Sequence, residues 1–271
     1  MKYLSASSLS TFVKCPRVAV LEGAGLKTGP SKAQERGTRL HAALEEYLLG
    51  NTGDVIEDDL GDHARTNGLL PAPGDPHILV EYGIGDANRD AARYAETTRW
   101  TGRQIELAGF PFRGIVDLVR LDRGGLEIWD HKTVGSWYYA ETNETLRQNL
   151  QAWSYAEQIA AWLEDENMMP SGPIVIGHLQ YRKSRNPKPD DVRKVSFRTS
   201  RAEVARKWKM IEEIAEAFRV ELDRAFTDVP PHRNHCAAYG GCRFESFCSK
   251  VPRRDLRPET LDVVDQWNND R

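Results

Sequence analysis

Two apolar runs on either side of a turn signal constrain this chain more than any other feature. They are "PFRGIVDLVRL" at 111–121 and "GLEIWDHKT" at 125–133. Side chains alternate faces along a strand, and "DRGG" at 122–125 marks a hairpin between the two runs. On that reading Asp117 shares a face with Ile115 and Val119, and Asp130 shares one with Ile128 and Lys132. Two adjacent antiparallel strands thus point carboxylates inward. A buried charge is costly unless it is paired or coordinates a metal. Two inward carboxylates can hold a hard divalent cation through oxygen ligands, and a lysine beside them can stabilise developing negative charge. For an isolated "DHK" a strand-surface ion pair is the simpler account. Here it is the chain's one acidic-x-Lys triplet, and it follows a hairpin from another inward aspartate.

Around this hairpin the pattern is a mixed α/β one, a sheet flanked by helices. "SASSLSTFVKCP" reads as a short helix capped by Ser7 or Ser8 and stopped at Pro16, followed by a Gly-rich connector. Ser31 with Gln34 is a capping-box signature. It opens a helix, "KAQERGTRLHAALEEYLL", that ends at Gly50. Gly37 inside this helix, near His41, costs stability and implies close approach by another group. His41 reads as a satisfied core histidine or, if its helix packs near the aspartates, as a metal ligand. Residues 51–76, acidic and rich in Gly and Pro, read as a surface loop. Further strands are expected at 77–84, 102–109 and 173–181.

"NETLRQNLQAWSYAEQIAAWLEDE" reads as one amphipathic helix with Gln148, Gln151, Tyr155 and Ile159 along a stripe. Gln151 and Tyr155 are either helix surface or hydrogen-bond donors to a phosphate backbone. Residues 182–209 hold eleven Lys or Arg against three acids, either a solvated face or a DNA-backbone track. Trp137, Tyr138 and Tyr139 either stack on unpaired bases or pack at a helix start. A long helix begins near residue 199, and the tail from about residue 251 reads as weakly ordered.

The net charge of −3 gives no global attraction to polyanions, so any nucleic-acid surface is local. No run approaches the roughly 18 apolar residues of a membrane span, and "MKYLSASSLS" lacks the apolar core of a secretion signal. A cytoplasmic, reducing setting is the resulting expectation. It favours metal binding over disulfides for Cys15, Cys236, Cys242 and Cys248.

His41, "GIVDLV" with Asp117, "DHK" and "QAWSY" occur in this order, and together they resemble the PD-(D/E)xK nuclease superfamily. More narrowly they are similar to its RecB-type branch, over roughly residues 5–250. That resemblance implies a single nuclease domain over residues 1–250 with a tail at 251–271, built on a restriction-endonuclease-like core. It implies that His41, Asp117 and Asp130 bind Mg²⁺ or Mn²⁺ and that Lys132 is the catalytic lysine. Gln151 and Tyr155 would contact DNA or support the site. Glu81 in "LVEYG" corresponds to an acidic strand position of the family.

"SLSTFVKCPR" and the late cysteine triplet resemble the iron–sulfur subset, which includes AddB-type nuclease domains and CRISPR-associated RecB-like exonucleases. In that subset one N-terminal and three C-terminal cysteines hold a 4Fe–4S cluster joining the chain's ends. Here Cys15, Cys236, Cys242 and Cys248 would do so, although C-x5-C-x5-C replaces the more frequent C-x2-C-x5-C. Zinc is the competing metal, with His235 or His232 standing in for Cys15.

The expected function is therefore a metal-dependent deoxyribonuclease, an exonuclease on DNA ends or single strands, in a bacterial, archaeal or phage setting. A helicase, recombination protein or CRISPR integrase would be its partner. Two other readings stay open: a non-catalytic iron–sulfur DNA-binding module, and an end-processing nuclease of CRISPR adaptation.

Overall fold

The computed structural model of the chain describes residues 2–26, 32–85, 99–122 and 124–224, with the single positions 229, 242, 244 and 267; for residues 32–34 and 122 it describes the backbone alone. The chain divides into two compact units. One comprises residues 30–103 and 114–204; the other comprises 1–29, 104–113 and 205–271.

The first unit is built on a mixed sheet. Strand β4 (Phe110–Asp122) pairs antiparallel with β2 (Ile78–Ile84) on one edge and with β5 (Gly125–Val134) on the other. β5 pairs parallel with β6 (Ile174–Arg182), which pairs antiparallel with β7 (Val192–Thr199). The parallel β5–β6 step needs a crossover, and α6 (Leu150–Asp165) lies in it. Its buried Trp153, Ala156, Ile159 and Ala160 pack toward the sheet. On the other face α3 (Lys32–Leu48) and α4 (Asp59–Thr66) bury Leu40, Leu44, Tyr47 and Leu60 with Leu118, Trp129, Leu179 and Tyr181. Fully burying such a side chain contributes about 1.5–3 kcal/mol. The alternation expected for the hairpin holds: Leu118 and Trp129 enter this core, while Asp117 and Asp130 do not belong to it.

Several local expectations are corrected. Residues 51–76 are not loop throughout: Asp58 accepts hydrogen bonds from the Leu60 and Gly61 N–H groups and caps α4, whose Leu60 and Ala64 are buried. The helix expected from Asn143 is broken in two. Thr142 caps a single turn, α5 (Asn143–Leu146), and Asn149 then caps α6 through the Ala152 N–H at 3.0 Å. Gln148 therefore precedes α6. The basic stretch after β6 contains β7, in which Val192, Val195 and Phe197 are buried between charged neighbours. Charge had masked its alternation. Gly50, at φ +81°, takes the left-handed conformation expected beyond α3.

In the second unit β1 (Leu4–Ser5) pairs parallel with the start of β4, and β3 (Glu106–Leu107) pairs antiparallel with it. The cap of α1 (Ala6–Lys14) is Ser5, not Ser7 or Ser8: Ser5 accepts from the Ser8 N–H and its own N–H donates to Ser8 Oγ. Pro16 does more than stop α1. It opens α2 (Pro16–Gly23), where a missing N–H costs nothing. Cys15 sits between the two helices, extended and buried. Phe12 of α1 stacks on Phe218 of α7 (Arg201–Leu222) with ring centroids 4.8 Å apart. The capping box expected at Ser31 lies outside the described residues, as do Cys236, Cys248 and all of the 251–271 tail except Trp267.

Candidate active site

The site is assembled on the sheet of the first unit by five elements. β4 supplies Asp117 and β5 supplies Asp130 and Lys132, while β2 supplies Glu81, α3 His41 and α6 Gln151 with Tyr155. α3 comes close because Gly37 has no side chain: a Cβ there would lie 3.1 Å from Thr133 Oγ1 of β5. The close approach read from Gly37 is thus a helix–strand contact one turn before His41.

His41 Nε2 lies 2.9 Å from the His131 carbonyl oxygen. A carbonyl only accepts, so Nε2 carries a proton, and in the neutral ring the lone pair is then on Nδ1. This carbonyl fixes the tautomer in the way second-layer partners of metal-binding histidines do. Nδ1 faces Asp117 Oδ2 at 3.7 Å. Asp117 Oδ2 accepts the His131 backbone N–H at 2.6 Å. His131 thus serves the site through its backbone, while its buried ring contacts the Tyr181 hydroxyl at 3.0 Å on the core side.

Glu81 completes a trio: ligand atoms of His41, Glu81 and Asp117 all lie within 4.8 Å of one another. Its backbone is in the left-handed region, φ +46°. That conformation costs a non-glycine residue about 1–2 kcal/mol, and such strain clusters at functional sites. The pairing of β2 with β4 skips the Glu81–Asp117 position while holding its neighbours Val80–Leu118 and Tyr82–Val116.

Asp130 sits beside the trio in an organised network. Lys132 Nζ is 2.6 Å from Asp130 Oδ2. Gln151 uses its whole amide: Oε1 accepts from Lys132 Nζ at 3.1 Å, and Nε2 donates to Asp130 Oδ1 at 3.2 Å and to the Tyr155 hydroxyl at 2.9 Å. Tyr155 reaches in because Gly114 is bare; a Cβ there would fall 2.7 Å from the tyrosine ring. Behind Asp130, β6 places His178 directly across from it. His178 Nδ1 is 2.9 Å from Glu141 Oε2, and Nε2 is 4.0 Å from Asp130 Oδ2.

Electrostatically the site holds too much negative charge for one lysine. Burial, with Asp117 beside it, pushes the Glu81 carboxyl up to about 8. Burial and the neighbouring Asp130 charge raise Asp117 well above the usual carboxylate range. Asp130 goes the other way: burial opposes its ionisation, but Lys132 and His178 outweigh that and hold it low. For Lys132 too burial opposes the charged form, yet its pKa is raised, because Asp130 and Asp117 favour the ammonium. Hard oxygen donors and an imidazole, with two carboxylates pushed toward neutrality by burial and then by mutual repulsion, suit a divalent cation. These residues fit one.

Of the residues read from sequence, the structure brings together His41, Asp117, Asp130, Lys132, Gln151 and Tyr155. Glu81, known only through the family resemblance, joins His41 and Asp117. His178 and Glu141 carried no sequence signal: one is a core-strand histidine, the other a loop acid. The β5–β6 register reveals His178, and Asn149 holds Glu141 near it. Cys15 is buried and Cys242 half-buried in the other unit, and Cys236 and Cys248 are outside the described residues.

A sheet-borne trio able to hold a cation stands beside an ion-paired Asp-x-Lys, a combination suited to divalent-metal phosphodiester hydrolysis. The family model of the PD-(D/E)XK nuclease superfamily matches residues 3–249, and the chain belongs to that superfamily. Members of it use divalent metals to hydrolyse phosphodiesters. A search of curated proteins returns no match to this sequence. Among solved structures, the chain is similar to SSO0001, with 13% identity and a TM-score of 0.34 over 78% of this chain and 75% of that one. It is also similar to a presumed exonuclease from Eubacterium rectale, with 15% identity and a TM-score of 0.42 over 97% and 92%. The superfamily assignment rests on the family match. No described helix is long and apolar enough to cross a membrane.

Proposed function

We propose that the chain is a Mg²⁺- or Mn²⁺-dependent deoxyribonuclease of the RecB-type branch, acting as an exonuclease on DNA ends or single strands. The observation carrying this reading is the junction of the His41–Glu81–Asp117 trio with the Asp130–Lys132 pair. His41, Asp117 and Asp130 are assigned as ligands, with Glu81 as a further one. A divalent cation held there supplies a Lewis acid that lowers the pKa of a water and offsets phosphodiester charge.

The chain's own groups do the rest. Lys132, favoured as an ammonium by Asp130 and Asp117, stabilises charge developing on the phosphate. Gln151 holds Lys132 and Asp130 in register, and Tyr155 orients Gln151. His131's N–H and carbonyl fix Asp117 and His41. Residues 1–250 act as one nuclease domain, in a cytoplasmic setting with a helicase, recombination or CRISPR integrase partner.

Cys15, Cys236, Cys242 and Cys248 are proposed as ligands of a 4Fe–4S cluster of structural role. Its test is colour: anaerobically purified protein is expected to be brown with broad visible absorbance. Colourless protein carrying stoichiometric zinc would overturn it. For the nuclease itself, Asp130→Ala is expected to abolish Mn²⁺-dependent digestion of labelled DNA while leaving the circular dichroism unchanged. Full activity in that variant would sink the site assignment.

A further inference from the structure

Immediately beyond β5, residues Trp137–Tyr139 form a single 3₁₀ turn capped by Ser136, whose Oγ accepts the Tyr138 N–H at 3.2 Å. Tyr138 is 87% exposed and Tyr139 61% exposed, with the two rings edge to face at 4.9 Å. Packing at a helix start would have buried them, so that account fails for the two tyrosines. Trp137 is the anchored member. The Arg193 guanidinium lies 4.2 Å from its ring centroid and that of Arg182 5.5 Å.

The turn is tied to the catalytic strands by a continuous set of polar contacts. Arg193 Nε donates to Gln180 Oε1 at 2.9 Å. Gln180 Nε2 and Arg193 Nη2 both donate to the Glu141 carbonyl oxygen, at 2.9 and 3.3 Å. The Glu141 carboxylate meets His178, which faces Asp130. Nearby, at the end of β6, Arg36 donates to the Ser184 carbonyl at 3.2 Å, and its charge helps burial lower the Lys183 pKa. Two arginines thus hold the Trp137 ring next to the exposed tyrosines, and Arg36 and Lys183 lie at the end of the strand that pairs with the one carrying Lys132.

Exposed aromatic rings bordered by backbone-tracking cations are the chemistry of single-strand nucleic-acid binding. Within a duplex the base faces are covered by their own stacking, so successive rings of this kind favour unpaired bases. We propose that Tyr138 and Tyr139 form a stacking platform for unpaired bases of single-stranded DNA, leading the strand toward Asp130 and Lys132. The destination of the strand rests on the nuclease reading; the platform itself does not.

Binding of a labelled oligothymidine and of a duplex of equal length, measured in EDTA so that nothing is cut, tests the platform. Stacking contributes about 1–3 kcal/mol per base, so Tyr138→Ala with Tyr139→Ala is expected to weaken single-strand binding about tenfold or more. The loss is confined to the single strand, and Tyr138→Phe with Tyr139→Phe keeps the affinity because the rings remain. No charge is removed, so the slope of log K against log salt stays as in the wild type. Unchanged affinity in the alanine pair, a loss shared by the phenylalanine pair, or no single-strand binding by the wild type would each overturn the proposal. Tyrosine-dependent binding by a wild type that digests no DNA with Mn²⁺ removes the nuclease reading and leaves the platform. Mn²⁺-dependent digestion with tyrosine-independent binding does the reverse.

Discussion

Asp117 meets two demands that oppose each other. In its proposed role it is a charged ligand when a cation is present, yet without one it is buried beside Glu81 and Asp130. An asparagine in its place would still accept the His131 N–H but could not carry the charge. Asp117→Asn is therefore expected to melt at or above the wild type in EDTA, and to lose the rise in melting temperature that Mn²⁺ gives the wild type. That rise corresponds to about 2.7 kcal/mol at a hundred times the dissociation constant, and thermal denaturation with and without Mn²⁺ reads both effects. Lys132→Ala is expected to cost roughly 10²–10³ in turnover, the scale of losing one preorganised stabilising donor. Single-turnover digestion measures it. Asp117, Asp130 and Lys132 were legible in sequence because burial on a two-residue period exposes any polar exception. Glu141 was not, since nothing local distinguishes a loop acid; its place by His178 follows from Asn149, which caps α6 with Oδ1 and holds Glu141 with Nδ2.

Among the elements, α6 and the β6–β7 connection set how firmly the site is held. Gly114→Ala would drive a methyl into the Tyr155 ring. Overpacking of this kind costs about 1–3 kcal/mol, and moving Tyr155 releases Gln151 from Asp130 and Lys132. Activity is expected to fall more than stability, as a comparison of digestion rate with urea midpoint would reveal. In the other connection, buried Asp191 pairs with Arg182 and accepts from Ser184 Oγ and the Lys188 N–H, each at 3.0 Å. Burial opposes its charge, but these donors outweigh it and lower the pKa.

A depressed carboxylate contributes stability that is present above its unfolded pKa and lost as pH falls through the folded one. Asp191→Asn should therefore destabilise at neutral pH by about 1–3 kcal/mol. Its melting temperature should also fall less than the wild type's on acidification below about pH 4, where the unfolded aspartate begins to protonate. Strand β7 was hidden from a sequence reading because its solvent side is so basic. The break between α5 and α6 was hidden because Thr142 and Asn149 are both competent caps in a continuous helical pattern. The hairpin, by contrast, was plain from its turn and its alternation.

In the molecule as a whole, the candidate site lies entirely within one compact unit, while Cys15 and Cys242 belong to the other. That second unit is assembled from three separate stretches of chain, so its sequence ends must be brought together. A cluster joining residue 15 to residues beyond 235 would close a very long loop, and constraining it removes on the order of 5 kcal/mol of denatured-state freedom. Cys15→Ser, prepared anaerobically, is expected to lose iron and to melt several degrees lower. Unchanged metal content and melting would count against the cluster. The division into units was not legible, because "GIVDLV" gives no sign that β4 begins in one unit and continues into the other.

The left-handed backbone at Glu81 has a consequence for descent. Glycine is the residue that conformation favours, and a single substitution to glycine would relieve the strain while deleting a carboxylate from a crowded acidic cluster. If Glu81 is the ligand proposed for it, loss of function at that position is expected to run downhill in folding free energy. Under relaxed selection, inactive descendants should accumulate there first, and they should be sturdier than their parent. A mutational library screened separately for stability and for DNA digestion would show position 81 enriched in glycine in the first screen and depleted of it in the second.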